Sequence, residues 1–135
     1  MRRFVLITTT CSAILGGLAL GPLSAAAVSS DAFRGDWTST DTDGSHQTLA
    51  VGGSGQAGHH SVFYTDDAAS NACGGDPAQG TGSGTVDGDT LYAIGALTCL
   101  PGGNHFRTRL TFAYTYDQGT DTLTDTSGVV WDRAD

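Results

Sequence analysis

One stretch of the chain shows its fold class most directly, and it reads FRTRLTFAYTY (residues 106–116). Apart from Thr108, its even positions carry aromatic or leucine side chains, and its odd positions carry arginine, threonine or alanine. Successive side chains of a β-strand point to opposite faces of the sheet. The alternation therefore predicts a β-strand with one buried face.

Similar but shorter patterns fill the chain from residue 34 onward. Short runs of strand-forming residues alternate with turn signals, among them Asp43-Gly44 and Asp87-Gly88, which suit tight hairpins. No segment keeps a helical period of apolar residues over three turns. We therefore predict an all-β protein with eight strands, at residues 34–41, 45–51, 58–65, 80–86, 89–98, 105–117, 121–125 and 128–133.

The first 27 residues have the features of an export signal. Arg2 and Arg3 precede a largely apolar run, and Ala25-Ala26-Ala27 offers the small residues that a signal peptidase recognises. A membrane anchor is the alternative, but threonines and the Gly16-Gly17 pair interrupt the run, which is short for a span. We predict a signal peptide at residues 1–27, a single β-barrel domain at residues 28–135, and a secreted, extracellular protein.

The charge of the chain narrows the classes of partner. The sequence holds fourteen acidic residues, all of them Asp, against six basic residues, and its formal charge is −8. Removal of a leader with Arg2 and Arg3 would make the charge still more negative. Such a surface repels phosphate backbones and anionic lipid, so we expect neither nucleic acid nor a membrane as partner.

Two cysteines follow the predicted leader, Cys73 and Cys99, and we expect them to form a disulfide. If eight strands run up and down, the connections after odd-numbered strands share one end, the mouth, and the other end is the floor. Cys73 falls after strand three, in a polar surface loop predicted at residues 66–79, and Cys99 falls at the end of strand five. Both therefore reach the mouth, within the distance that a disulfide needs.

No pattern of metal ligands or cofactor-binding residues is evident, so we predict neither a metal nor a cofactor. Two cysteines cannot make a zinc site, and the histidines lack metal-ligand spacing. Asp41 to Ser45 resembles the start of a calcium loop, but the chain has no Glu to close it, and a hairpin turn explains the same residues. No nucleophile motif surrounds any serine, so we predict that the protein is not an enzyme.

Two short motifs bracket the predicted strands, Gly35-Asp36-Trp37 and Trp131-Asp132-Arg133. In a closed barrel with an even number of strands, the start of the first strand lies beside the end of the last. We therefore expect Trp37 to approach Trp131 and Arg133 at the floor, opposite the disulfide.

A Gly-x-Trp that opens the first strand, with an Arg on the last strand across the Trp, resembles the calycin superfamily of lipocalins and avidins. The resemblance rests on Gly35, Trp37 and Arg133, and the chain is also similar to small secreted bacterial proteins. It implies an eight-stranded antiparallel up-and-down β-barrel, in which Arg133 forms a cation–π contact over the Trp37 indole. Trp37, Trp131 and Arg133 are then structural residues that close the floor. The interior tryptophans with which avidins hold biotin have no counterpart here.

The mouth is the candidate ligand site. Inward positions near it are predicted for Ser39, Tyr64, Phe106, Thr108 and Leu110. A small apolar cup with a few polar groups is the usual form of a ligand site, but a small barrel can also fill its interior with side chains. Our first hypothesis is a secreted monomer that binds a small molecule at the mouth. The alternative is a protein-interaction module or protease inhibitor that acts through its mouth loops, above all residues 99–104.

Overall fold

The computed structural model describes residues 27–102 and 104–135, with the backbone alone for residues 104–108. The predicted signal peptide falls almost entirely in residues 1–26 and so lies outside the described residues. Within the described ranges, no helix is long and apolar enough to cross a membrane.

Eight antiparallel strands form a closed barrel, in which each strand pairs with its neighbours in the chain and the last pairs with the first. They are β1 (Gly35–Thr40), β2 (His46–Gly52), β3 (His59–Asp66), β4 (Ala78–Asp87), β5 (Thr90–Cys99), β6 (Asn104–Asp117), β7 (Thr122–Asp125) and β8 (Val130–Arg133). The predicted all-β, eight-stranded up-and-down barrel is confirmed. The loop predicted at residues 66–79 is shorter, because β3 and β4 extend into it and Ser70–Cys73 forms a one-turn helix, α1.

The large apolar side chains lie mostly in the floor half of the barrel. Alternation on β2 places Leu49 and Val51 inside, and alternation on β6 does the same for Tyr114. A single core cluster joins them to residues of the other strands and of a 3-10 helical turn at Ser30–Phe33. Its buried members are Phe33, Trp37, Leu49, Val51, Leu91, Ala93, Tyr114, Leu123, Val129 and Trp131.

Two glycines allow the barrel wall to bend between β4 and β5. Gly82 and Gly95 are partners in the pairing register. A Cβ atom on Gly95 would lie 2.5 Å from the carbonyl oxygen of Thr81, and one on Gly82 would collide with the carbonyl of Ile94. Because the two backbones approach this closely, neither position accepts a side chain without a shift of the strands.

The floor is closed by Arg133. Its guanidinium lies 4.1 Å from the centroid of the Trp37 ring, and the two residues are paired across β1 and β8. Nε and Nη2 of Arg133 donate to the two carboxylate oxygens of Asp121 at 2.8 Å, and Nη1 donates to the carbonyl of Arg34 at 2.7 Å. Trp37 Nε1 donates to the carbonyl of Phe33 at 3.0 Å. The expected approach of Trp37 to Arg133 is confirmed. Trp131, expected at the floor as well, lies two residues nearer the mouth on β8, where it donates to Asp125.

The disulfide lies at the opposite end of the barrel. Cys73 and Cys99 are bonded, with their Cα atoms 5.5 Å apart. The backbone N–H of Leu100 donates to the carbonyl of Pro77 at 2.7 Å, beside this bond. The predicted pairing of the two cysteines at the mouth is confirmed, and it ties the β3–β4 connection to the end of β5.

Candidate functional site

The barrel interior is filled at the floor and open at the mouth. Two adjoining cavities, of about 220 Å³ and 260 Å³, lie inside the mouth and are together called the mouth cup here. Both are lined by Asp41, Gln47, Tyr64 and Phe112. The first also contacts Asp43, Asp66, Ala69, Ser70, Asn71, Ala72, Ala78, Leu97 and Leu110, and the second also contacts Thr111, Tyr114, Asp125, Thr126, Ser127 and Trp131.

Polar residues enter the interior at the mouth ends of β2 and β3. Gln47 shares the inward face of β2 with Leu49, and Asp66 shares the inward face of β3 with Tyr64. Gln47 and Asp66 are partners in the β2–β3 register. The period of two that places apolar side chains in the core thus places an amide and a carboxylate side by side at the mouth.

Gln47 is the centre of a buried hydrogen-bond network, and its side chain is 6% exposed. Its Nε2 donates to Asp41 Oδ2 at 3.1 Å and to Asp66 Oδ2 at 3.3 Å. Its Oε1 accepts from Ser39 Oγ at 3.0 Å. The amide therefore holds two carboxylates in place at one side of the cup.

Asp66 is 5% exposed and receives two further hydrogen bonds. Its Oδ1 accepts from the backbone N–H of Ala68 at 3.0 Å, and its Oδ2 accepts from the Tyr64 hydroxyl at 3.1 Å. Burial, reinforced by the charge of Asp66, raises the pKa of Tyr64 far above its usual value. Tyr64 is therefore a neutral hydrogen-bond donor to this oxygen at neutral pH.

Asp125 carries a third carboxylate on the opposite wall. Its Oδ1 accepts from the backbone N–H groups of Ser127 and Val129, at 2.8 Å and 3.0 Å. Its Oδ2 accepts from Trp131 Nε1 at 3.3 Å. This one side chain fixes both the turn between β7 and β8 and the orientation of the indole.

Aromatic rings line the cup between these carboxylates. Tyr64 stacks on Phe112 with ring centroids 5.9 Å apart, and it lies 6.2 Å from Trp131. Tyr114 meets Trp131 edge to face at 5.7 Å, and burial raises the pKa of Tyr114 well above its usual value. The ring contacts form a continuous wall in which each ring packs against its neighbours.

Asp43 adds a fourth acid at the outer rim. Hydrogen bonds from the backbone of Ser45 and the side chain of Ser70 lower the pKa of Asp43 to about 2. Its carboxyl group is therefore ionised at any pH above that value. The rim thus carries a fixed negative charge beside the network centred on Gln47.

The charges at the two ends of the barrel differ. Ion pairs among the described side chains are Arg34–Asp31 at 3.6 Å and Arg133–Asp121 at 2.8 Å, both at the floor. No Lys or Arg lines either cavity of the cup in the part of the chain whose side chains are described. The same part contains no group of three or more His, Cys, Asp or Glu side chains that could hold a metal ion.

The predicted site residues are only partly brought together. Tyr64 and Leu110 line the cup. Ser39 does not line the cup. Its hydroxyl donates to Gln47, and the residue lines a groove between β1 and β8 instead. Trp131, which we predicted to be structural, belongs to the core cluster and also lines the cup.

The side chains of Phe106 and Thr108 lie outside the described residues, so their predicted place in the site stays a prediction. Their assignment to the inner face relied on an unbroken alternation along β6. The pairing of β5 with β6 shifts register between Gly95 and Leu97 and again between Leu97 and Thr98. The alternation at Leu110 therefore does not extend in a simple way to the start of β6.

The sequence reasoning missed most of the polar wall. Gln47 and Asp66 could have been found, since each continues an inward face that the alternation of β2 or β3 defines. Strand parity places the turns at Asp41 and Asp125 at the mouth, but an Asp beside a hairpin is first of all a turn residue, so neither was predicted to line the site. Both do bond to turn backbone, at Thr42 N for Asp41 and at Ser127 N for Asp125, and they line the cup as well.

No protein-family model, curated protein or solved structure gives a significant match to this chain.

Proposed function

We propose that this protein is a secreted ligand-binding barrel that holds a small molecule in the mouth cup. The observation that carries the proposal is the contrast within one interior. Side chains fill the floor half, whereas the mouth half keeps two adjoining cavities lined by aromatic rings and polar side chains. That combination is the usual form of a small-molecule site.

The cup is preformed, which favours binding over a merely unfilled core. Its polar groups are held by one another, as in the bonds from Gln47 to Asp41 and Asp66. Its rings are held by stacking between Tyr64 and Phe112. A wall that is already ordered costs little conformational entropy when a ligand arrives.

The size of the cup limits the ligand. Its two cavities, at about 220 Å³ and 260 Å³, are each smaller than the roughly 300–1,000 Å³ typical of sites for drug-sized molecules, and even together they reach only the lower part of that range. Tyr114 and Trp131 close the cup from below. We therefore expect a compact ligand, of about one or two rings, rather than a long acyl chain.

Export and kinship with the calycins are part of the proposal. The Cys73–Cys99 disulfide supports an oxidising compartment, and it agrees with the predicted leader. The guanidinium of Arg133 over the Trp37 ring supports a relationship to the lipocalins and avidins, whose floor the same residue types are expected to close.

Native mass spectrometry of the protein collected from culture medium tests the proposal. We expect a non-covalent adduct that is lost on denaturation, on a chain lighter than the reduced one by two hydrogen atoms. Leu110→Trp should fill the cup and remove the adduct. Tyr92→Trp, at an outward position, is the matched control and should retain it. An adduct that persists equally in both variants would contradict binding in the cup.

Docking through a mouth loop is a second candidate. The disulfide and the bond from Leu100 N to Pro77 O hold the start of the β5–β6 loop, while Pro101 and Gly102 are exposed. An exposed segment that is held at its start in this way suits a protease inhibitor. A panel of secreted proteases tests it, and inhibition that Pro101→Ala weakens would favour this function over the cup.

A further inference from the structure

The mouth cup contains a buried carboxylate whose described partners are all neutral. Asp66 is 5% exposed, and its oxygens accept from the Tyr64 hydroxyl, the Gln47 amide and the Ala68 backbone N–H. Dipolar donors replace part of the lost hydration of an anion, but they bring no opposite charge. The site is therefore arranged for a negative charge, and the side chains that the structure describes around it supply no positive charge to balance it.

A second carboxylate increases this imbalance. Oxygens of Asp41 and Asp66 both lie within hydrogen-bond distance of the same nitrogen, Gln47 Nε2. Like charges held this close repel each other, and a cation beside them would relieve the repulsion. Asp43 at the rim and Asp125 on the opposite wall add further negative charge around the same space.

The apolar part of the wall suits a cation too. Tyr64, Phe112 and Trp131 line the space between the carboxylates. The faces of aromatic rings carry partial negative charge and attract ammonium and guanidinium groups, most strongly where water is excluded. The rings and the carboxylates thus favour the same sign of ligand charge by two independent effects.

We infer that the ligand of the mouth cup is a small organic cation, with an ammonium or amidinium group on a compact apolar or aromatic body. The charged group pairs with Asp41 and Asp66, and the apolar body packs on the rings. This inference rests on the proposed function and adds the chemical class of the ligand. A metal ion fits less well, because the described carboxylates are spread over the wall and form no group of three ligands.

Three probes of similar size and different charge test the inference by isothermal titration calorimetry on the disulfide-bonded protein. They are 2-phenylethylamine, 2-phenylethanol and 3-phenylpropionate. We expect the amine to bind at least about tenfold more tightly than the alcohol, and we expect the carboxylate not to bind. Added salt should lower the affinity for the amine.

Several outcomes would overturn the inference while leaving the proposed function in place. They are equal affinity for amine and alcohol, tighter binding of the carboxylate, binding of Ca²⁺ without the amine, or binding of the neutral dye Nile red without the amine. If none of the probes and no dye binds, the proposed function fails as well.

Matched variants locate the effect. Asp66→Asn keeps the shape of the side chain and removes its charge. It should lower the affinity for the amine by about tenfold and change the affinity for the alcohol by less than about twofold. Asp87→Asn, exposed at the floor end of β4, removes the same charge far from the cup and should change neither. Near-ultraviolet circular dichroism reports whether each variant is folded.

Asp125→Asn repeats the test on the opposite wall if Asp66→Asn does not fold. An equal loss of amine affinity in Asp87→Asn would show that net charge alone is at work and would overturn the assignment. The comparison of the three probes on the unsubstituted protein needs no variant at all.

Discussion

The carboxylates at the floor and at the mouth of this barrel have different kinds of hydrogen-bond partner. At the floor, both oxygens of Asp121 meet the guanidinium of Arg133 at 2.8 Å. At the mouth, Asp41 and Asp66 share one neutral amide, that of Gln47. The first arrangement pairs a carboxylate with a cation, whereas in the second the described partners of both carboxylates at Gln47 are neutral.

The difference indicates that the two ends of one continuous sheet contribute differently to stability and to binding. The floor combines an ion pair, a cation–π contact and a packed core, all of which stabilise the fold. The mouth is held by the disulfide and by hydrogen bonds from neutral donors to carboxylates. These bonds fix the geometry of the carboxylates without neutralising their charge. Substitutions at the two ends should therefore separate stability from binding.

Removal of the disulfide should have the largest effect. The double variant Cys73→Ala/Cys99→Ala opens a loop between residues 26 apart in sequence, which costs about 3 kcal/mol of unfolding free energy in the chain-entropy model. Urea unfolding measures the loss. Reduction should lower the stability of the unsubstituted protein to a similar extent and leave the double variant unchanged. A loss below about 1 kcal/mol would mean that the mouth is held chiefly by its other contacts.

Removal of the floor guanidinium should come next. Arg133→Met keeps an apolar stem but removes the bonds to Asp121 and to the carbonyl of Arg34, together with the contact over Trp37. We expect a loss of about 2 kcal/mol in urea unfolding, with ligand affinity at the mouth unchanged. Weakened binding in a variant that is still folded would contradict the separation of the two ends.

Arg34→Met is the matched control for that variant. Arg34 forms an exposed pair with Asp31 at 3.6 Å, and both side chains are about half exposed or more. Such a pair contributes under about 0.5 kcal/mol. Equal losses in the two variants would show that the floor gains nothing from the particular geometry of Arg133.

The strand order and the contacts that mark the two ends of the barrel were more predictable from the sequence than the mouth cup. Alternation on β6 and the hairpin pairs are local signals, and strand parity then places Trp37 beside Arg133 and Cys73 beside Cys99. The cup depends on register between strands, because Gln47 meets Asp66 only once β2 and β3 are aligned.

A turn aspartate and a cavity aspartate look identical in sequence, so strand parity places Asp41 and Asp125 at the mouth without showing that they line a cavity. The register shifts between β5 and β6 were hidden for a related reason. A bulge is a property of two paired strands, so neither Gly95 nor Leu97 gives a signal for it in the sequence of its own strand.

Alkaline conditions should lower the free energy of unfolding through two buried tyrosines, Tyr64 and Tyr114. The pKa values of Tyr64 and Tyr114 are raised, chiefly by burial, so both phenols keep their protons in the fold when the unfolded chain has begun to lose them. Their contribution to stability is complete below the usual tyrosine pKa of about 10 and is lost as the pH rises above it. Urea midpoints measured upward from pH 9 should fall, and Tyr64→Phe should fall less steeply. Tyr92→Phe, at a position 53% exposed, should follow the unsubstituted protein.

Acid should weaken the floor, with the smallest effect of the four. The hydrogen bond from Arg133 lowers the pKa of Asp121 below its usual 3.8, so the folded protein keeps this carboxylate ionised where the unfolded chain takes up a proton. The stabilisation is therefore complete above pH 3.8 and is lost as the pH falls through the lowered value. Both groups are partly exposed, which screens the pair and keeps the effect small. Urea midpoints between about pH 5 and pH 2 should fall less steeply in Asp121→Asn than in the unsubstituted protein. If the two slopes were the same, Arg133 would stabilise the floor through the Trp37 ring and the backbone carbonyls rather than through its ion pair.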